Sequence, residues 1–232
     1  MNGVLFGKKH SFNDWGMTLK ERPIISPAKA KTNYWNIEGA NGSLDGTETL
    51  TQDVKYENRE ITFKFNVIQN RKDWHEIYSN IQDYLHGQKM KIILDDDPCY
   101  YYEGRCSVDE WNSSKVTATL VIKATVYPYK YERFSSLEAW EWDIFNFETG
   151  IIRDYKDIVV DGTYTLEIEG TRMQVIPTFT TNTEMKVEFN GNTYQLPLGS
   201  SKILNIVIKQ GHNELKFTGK GLVSVEYRGG RL

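Results

Sequence analysis

The stretch KKHSFNDWG, residues 8–16, sets His10 four positions before Asp14, beside Trp15 and Gly16. A histidine and an aspartate at that spacing could form the dyad of a hydrolytic site. Nucleophilic catalysis also needs an activated nucleophile and an oxyanion pocket, and nothing in this stretch supplies them. Further on, EAWEWD alternates Glu138, Glu141 and Asp143 with Trp140 and Trp142. Paired carboxylates beside indoles resemble a sugar-cleaving cleft, in which an acid protonates the leaving oxygen and the indole faces stack on the ring. A strand of period two, however, puts Trp140 and Trp142 on one side and Glu141 and Asp143 on the other. That separates acids from platform, and the segment reads as aromatic packing at a domain junction.

Other candidate chemistry is thinner. Asp95, Asp96 and Asp97 are adjacent, so their carboxylates diverge, whereas a calcium loop spreads its oxygens over alternating positions around a glycine turn. Cys99 and Cys106 are the only two cysteines, and their spacing is neither a redox pair nor an arm of a zinc site. They read as reduced strand thiols. The four histidines, His10, His75, His86 and His212, fall in different predicted elements. HExxH, GxSxG, a Walker A loop and a GxGxxG turn are all missing. The sequence predicts no catalytic residue, cofactor or metal, and so no enzyme.

With 232 residues, 39% hydrophobic and 25% charged, the chain has enough apolar surface for two ordinary domains. A net charge of -3 without a Lys/Arg cluster is no footprint for nucleic-acid binding. The N-terminal residues lack the pattern of a signal peptide, and no stretch approaches the apolar length of a membrane span. The expectation is a protein made and folded in a cytoplasm, with no membrane partner.

The elements follow from periodicity. REITFKFNVI places Ile61, Phe63, Phe65 and Val67 on one face of a strand, and KVTATLVIKATVYPY does the same from Val116 to Val126. In NRKDWHEIYSNIQDYLHGQ, Trp74, Ile77, Tyr78, Ile81 and Leu85 form one helical stripe, with Asn70 as N-cap and Gly87 as the left-handed stop. After the helix, Glu103-Gly104 suggests the tip of a β-hairpin. The patterning blurs near residue 133, which divides the chain into domains 1–133 and 134–232. The second reads as eight or so short strands without a helix, with Asp161-Gly162 and Asn190-Gly191 as two-residue turns and KILNIVIK, ELKFTG and LVSVEY as separate strands. The class is mainly β: an N-terminal sandwich-like domain with one α-helix and a hairpin, then a β-sandwich or jelly roll.

Taken together in order, these residues resemble the distal tail protein (Dit) family of long-tailed, siphovirus-type bacteriophages and prophages. The carriers are Phe6 to Gly16, the turn from Gly39 to Thr47 with Asn41 where the family more often has Asp, Tyr56 to Arg59, VYPYKY at 126–131 with Tyr129 in place of Phe, and the ending HNELKFTGKGLVSVEYRGGRL. The resemblance implies a structural virion protein of the tail tip or baseplate. It implies a homohexameric ring, built by the first (belt) domain, that joins the tail tube protein to the tail hub and often supports receptor-binding proteins. It implies that DNA passes through the ring unread and that the second domain is galectin-like. Phe12, Trp15, Trp74 and Tyr78 become the candidate anchors or subunit contacts. A carbohydrate-binding module for host cell-wall saccharides is the alternative, with Trp140 and Trp142 as the contact candidates.

Overall fold

The computed structural model describes residues 3–138 and 153–232. The chain divides into two compact units, Met1–Asp97 with Tyr102–Tyr129, and Pro98–Tyr101 with Lys130–Leu232. The division falls after Tyr129, slightly before the expected junction near residue 133. Trp140, Glu141, Trp142 and Asp143 lie outside the described residues.

In the first unit the strands are β1 (Val4–Phe6), β2 (Lys9–His10), β3 (Met17–Leu19), β4 (Ile24–Ile25), β5 (Tyr34–Asn36), β6 (Ser43–Asp45), β7 (Arg59–Val67), β8 (Lys89–Leu94), β9 (Tyr100–Ser113) and β10 (Ala118–Val126), with helix α1 (Trp74–Leu85) between β7 and β8. The antiparallel main sheet runs β2-β1-β8-β9-β10-β7-β3, and β4 lies on β7 beside β3. Alternation dictates which side is buried. Ile61, Phe63 and Phe65 of β7 face inward opposite Ala124, Ile122 and Leu120 of β10, so large side chains meet medium and small ones across the register. Each fully buried Phe or Leu is worth about 1.5–3 kcal/mol of apolar transfer. Trp74, Ile81 and Leu85 of α1 join that same apolar cluster, with Ile77 and Tyr78 partly buried against it.

The helix ends as its sequence predicts and begins differently. Gly87 takes φ 74°, the left-handed conformation that lets the chain turn into β8. Asn70 precedes a single 3-10 turn, Arg71–Asp73, and its side chain makes no cap. Entry is fixed by the Trp74 indole, whose Nε1 donates to the Gln69 carbonyl at 2.8 Å.

Glu103-Gly104 is not a hairpin tip. Both residues lie inside the 14-residue strand β9, and the turn occurs between Leu94 and Tyr100. Gly104 is required for a different reason: a Cβ there would collide with the Thr125 carbonyl oxygen and Val126 Cα of β10. Strand β10 also starts later than expected, leaving Val116 exposed.

The second unit contains β11 (Lys130–Glu132), β12 (Ile158–Gly170), β13 (Thr178–Thr181), β14 (Met185–Phe189), β15 (Asn192–Leu196), β16 (Gly199–Lys202), β17 (Gly211–Glu226) and β18 (Gly230–Arg231). Its sheet order is β15-β14-β17-β13-β16, with β12 paired along β17 from Ile158↔Val223 to Gly170↔Gly211. Leu215, Phe217, Val223 and Val225 of β17 point into a core shared with Phe179, Ile206 and Ile208.

Asn190-Gly191 does form the expected tight turn, with both residues at positive φ. Asp161-Gly162 does not. Only Gly162 has positive φ, and β12 runs straight through it, pairing Gly162 with Gly219. ELKFTG and LVSVEY are likewise one strand, because Gly219 and Gly221, both at positive φ, lie inside β17 without a turn. KILNIVIK is irregular rather than a strand, although its Ile206 and Ile208 are buried. Apart from these connections, the mainly β class with a single α-helix is what the described residues show.

Candidate interaction surfaces

The His10–Asp14 stretch folds into a tight turn braced by its own backbone. The Asp14 amide donates to the His10 carbonyl at 3.0 Å and the Gly16 amide to the Phe12 carbonyl at 2.9 Å, while the Asp14 carboxylate accepts from the His10 amide at 2.6 Å. Asp14 therefore caps the turn instead of orienting the imidazole. The imidazole has its own partners: Nδ1 accepts from the Phe12 and Asn13 amides, both at 3.3 Å, and Nε2 lies 3.2 Å from both Asp95 carboxylate oxygens. With its lone pair on Nδ1 occupied by amides, His10 has no nitrogen left to act as a general base. Ser11 is buried, and its hydroxyl accepts from the Val4 amide at 3.0 Å. The turn is structural hardware.

That hardware separates the two aromatic residues it carries. Trp15 is 4% exposed and packs between Phe6, at 6.2 Å, and Tyr84 of α1, at 5.7 Å. Tyr84 in turn donates its hydroxyl to the Phe6 carbonyl at 3.0 Å and accepts from the Lys8 amide at 2.9 Å. Phe12 is 38% exposed. Of the helix candidates, Trp74 is buried, and Tyr78 is half-buried against Trp111 with ring centroids 5.0 Å apart. Trp15 and Trp74 thus hold this unit's own core together, and Phe12 is the member of the set that faces solvent.

Sequence reasoning singled out no contact surface in the segment between β4 and β7, and there the structure gathers five exposed large apolar side chains. The chain leaves β4 and returns to β7 along two paired legs, with Ser26 N bonded to the Glu60 carbonyl at 3.0 Å and Lys31 N to the Lys55 carbonyl at 2.8 Å. Beyond the legs, β5 and β6 form a separate two-stranded sheet, closed by Gly39 and Gly42 at positive φ. The motif residues explain its shape. Asp45 accepts from the Thr47 amide at 3.0 Å and from its hydroxyl at 2.5 Å, and these bonds hold the carboxyl below its ordinary pKa. Trp35 lies over Gly46, where any Cβ would strike the indole. Tyr34, Trp35, Ile37, Leu44 and Leu50 are nonetheless all exposed, Leu50 at 93%. A signal was available: KTNYWNIEGANGSLDGTETL crowds five large apolar residues into and around a hairpin of two three-residue strands, too short to have a core of its own.

Arg59, at the root of this arm, is only 8% exposed. Its guanidinium stacks over Tyr102 at 5.0 Å, its Nε and Nη2 find no partner among the described residues, and burial lowers its pKa. A concavity of about 500 Å³ on the outer face of β8, β9 and β10 is bordered by Lys89, Glu103, Arg105 and Tyr127. Lys89 closes it on itself, reaching Glu103 at 2.9 Å and the Tyr127 hydroxyl at 3.2 Å. Among the described residues no group of His, Cys, Asp or Glu side chains could hold a metal, and no helix is long and apolar enough to cross a membrane.

In the second unit Glu132 is a hub. It takes Arg153 in a two-pronged ion pair and the Gly229 amide at 3.0 Å, so that one carboxylate ties β11 to the chain after β17. A polar concavity of about 380 Å³ beside Tyr227 and Arg228 has no exposed aromatic platform among the described residues.

No family model matches the chain, and no curated protein matches it by sequence. Among solved structures it is similar to the crystal structure of SPP1 Dit (gp 19.1), described as a paradigm of the hub adsorption apparatus in phages infecting Gram-positive bacteria. The TM-score is 0.64 at 14% identity, and the similarity covers 100% of both chains. The chain therefore has, along its whole length, the fold of a phage distal tail protein. The resemblance carried by its sequence motifs and this likeness of fold point the same way.

Proposed function

We propose that this chain is a distal tail protein: a structural component of a phage tail tip, made in the host bacterial cytoplasm and built into the virion. In this reading it forms a homohexameric ring that joins the tail tube protein to the tail hub and supports receptor-binding proteins, while DNA passes through without sequence-specific contact. The first unit makes the ring, and the galectin-like second unit is an accessory sandwich. The chain works by shape and self-association and turns over no substrate.

The observation that carries this reading is the arm between β4 and β7. An arm with five exposed large apolar side chains in and around its small sheet, outside both cores, has no use in an isolated chain and is costly to leave in water. A protein that closes a ring by head-to-tail contacts must present two different complementary surfaces, and such an arm is one of them. The whole-chain likeness to SPP1 Dit supplies the setting. Immunogold labelling of the virus that carries this protein tests the assignment: gold at the distal end of the tail is expected, and label on capsids or on host cells alone would refute it.

A further inference from the structure

The second surface of that ring contact can be located. We propose that the arm of one copy docks on a patch of the next copy formed by Phe12, Ile68, Arg71 and Lys72, a pairing that rests on the ring reading above.

Residues 31–55 of the arm carry four acidic side chains and two lysines; Asp53 is buried and paired with Lys55 at 3.6 Å, which leaves Glu38, Asp45 and Glu48 as its exposed acidic groups. Its partner must therefore be apolar and basic. Within the first unit one place with that combination is the His10–Gly16 turn. The Ile68 amide donates to the Gly16 carbonyl at 2.9 Å and the Gly16 amide to the Phe12 carbonyl at 2.9 Å, so the exposed side chains of Phe12 and Ile68 flank one turn. Ile68 is 59% exposed. Arg71 and Lys72 follow in the exposed first turn before α1. Asp14, the acidic residue of the turn, is already engaged by the His10 amide.

Position makes the contact intermolecular. The arm leaves β7 at its Arg59 end, and its legs run away from the strand, whereas the patch sits at the Val67 end. Eight residue steps of about 3.3 Å place roughly 27 Å between the two. An arm pointing outward from one end of β7 cannot fold back onto a patch at the other end of the same strand. It can reach the patch of a neighbour, and repetition of that contact around an axis closes a ring of head-to-tail copies.

Charge reversal in trans tests this. The full chain is made as two variants, one carrying Glu38→Lys and Glu48→Lys, the other Arg71→Glu and Lys72→Glu. All four sites are exposed, and acidic residues in the turn that opens α1 favour the helix, so both variants keep their fold, which thermal unfolding verifies. Each variant alone opposes like charges at every contact and is expected to assemble about tenfold or more weakly than the parent by sedimentation. Mixed one to one, each arm meets a patch of opposite sign, and an alternating assembly of equal composition is expected at parental concentration by native mass spectrometry. Variants that assemble as the parent does, or a mixture no better than its parts, would overturn the pairing while leaving the ring intact. A parent chain that stays single at every concentration would overturn the ring itself.

Discussion

Arg153 grips Glu132 through both ends of its guanidinium, Nη1 at 2.6 Å from Oε2 and Nη2 at 3.0 Å from Oε1, while its Nε reaches the Tyr227 hydroxyl at 3.0 Å. Burial by itself would lower the Arg153 pKa, but the bonds and charges of Glu132 and Tyr227 together outweigh it and the net shift is upward. Removing one partner of such a pair leaves the other charge buried and alone. Glu132→Ala is expected to cost about 3–5 kcal/mol, read as a loss in urea midpoint, whereas replacing Glu132 and Arg153 together by apolar residues should cost much less. Equal losses for the single and double variants would contradict this.

Cys106 is fully buried, and burial pushes its thiol from 9.0 up to about 12. The reactive thiolate is thus withheld in the folded state. A thiol reagent at pH 8 is expected to leave Cys106 unmodified until denaturant is added, with the site assigned by peptide mapping. The sign of the pH effect follows. The folded pKa is raised, so the contribution is intact below pH 9, and stability declines between pH 9 and 12 as the unfolded thiol ionises and the folded one does not.

Arg59 presents the opposite case, a buried guanidinium whose Nε and Nη2 have no partner among the described residues. Its stacking on Tyr102 returns about 0.5–2 kcal/mol, less than burial of an unpaired guanidinium consumes. Arg59→Met is expected to leave the thermal midpoint unchanged or raise it. A fall of more than a few degrees would show that the guanidinium has a partner that stabilises it.

The turn at residues 11–16 separates folding from assembly. Trp15→Ala empties a site between Phe6 and Tyr84 and is expected to cost about 3–5 kcal/mol of stability. Phe12→Ser alters a side chain that is 38% exposed and should cost about 1 kcal/mol, well below Trp15→Ala, while weakening self-association. Sedimentation and calorimetry on the two variants separate the effects, and parental assembly by Phe12→Ser would remove Phe12 from the contact surface.

Much of this fold was legible where one face of an element is buried. Strands β7 and β10 alternate because each second residue enters the core, and α1 shows its stripe for the same reason. Glycine was the point of failure. Gly104 and Gly162 read as turns from sequence, yet the first exists for close backbone approach and the second lies within a ladder opposite Gly219. A dipeptide reports that the backbone is free to turn, and only the neighbouring strand decides whether it does. Asn190-Gly191 turned because both its residues took positive φ between strands of matched length. The proposed contact surface was partly hidden for a related reason. Aromatic residues in a loop look alike whether they enter the core, as Trp15 does, or face water, as Phe12 and Trp35 do. Burial depends on the elements across from them, which sequence spacing does not encode.

The central claim is that copies of this chain are shaped to close around a common axis. Native mass spectrometry of the purified protein, with negative-stain imaging of the same sample, tests it most directly. A species of six chains seen as an annulus with an open centre is the predicted result. A chain that remains single at the highest attainable concentration would contradict the account.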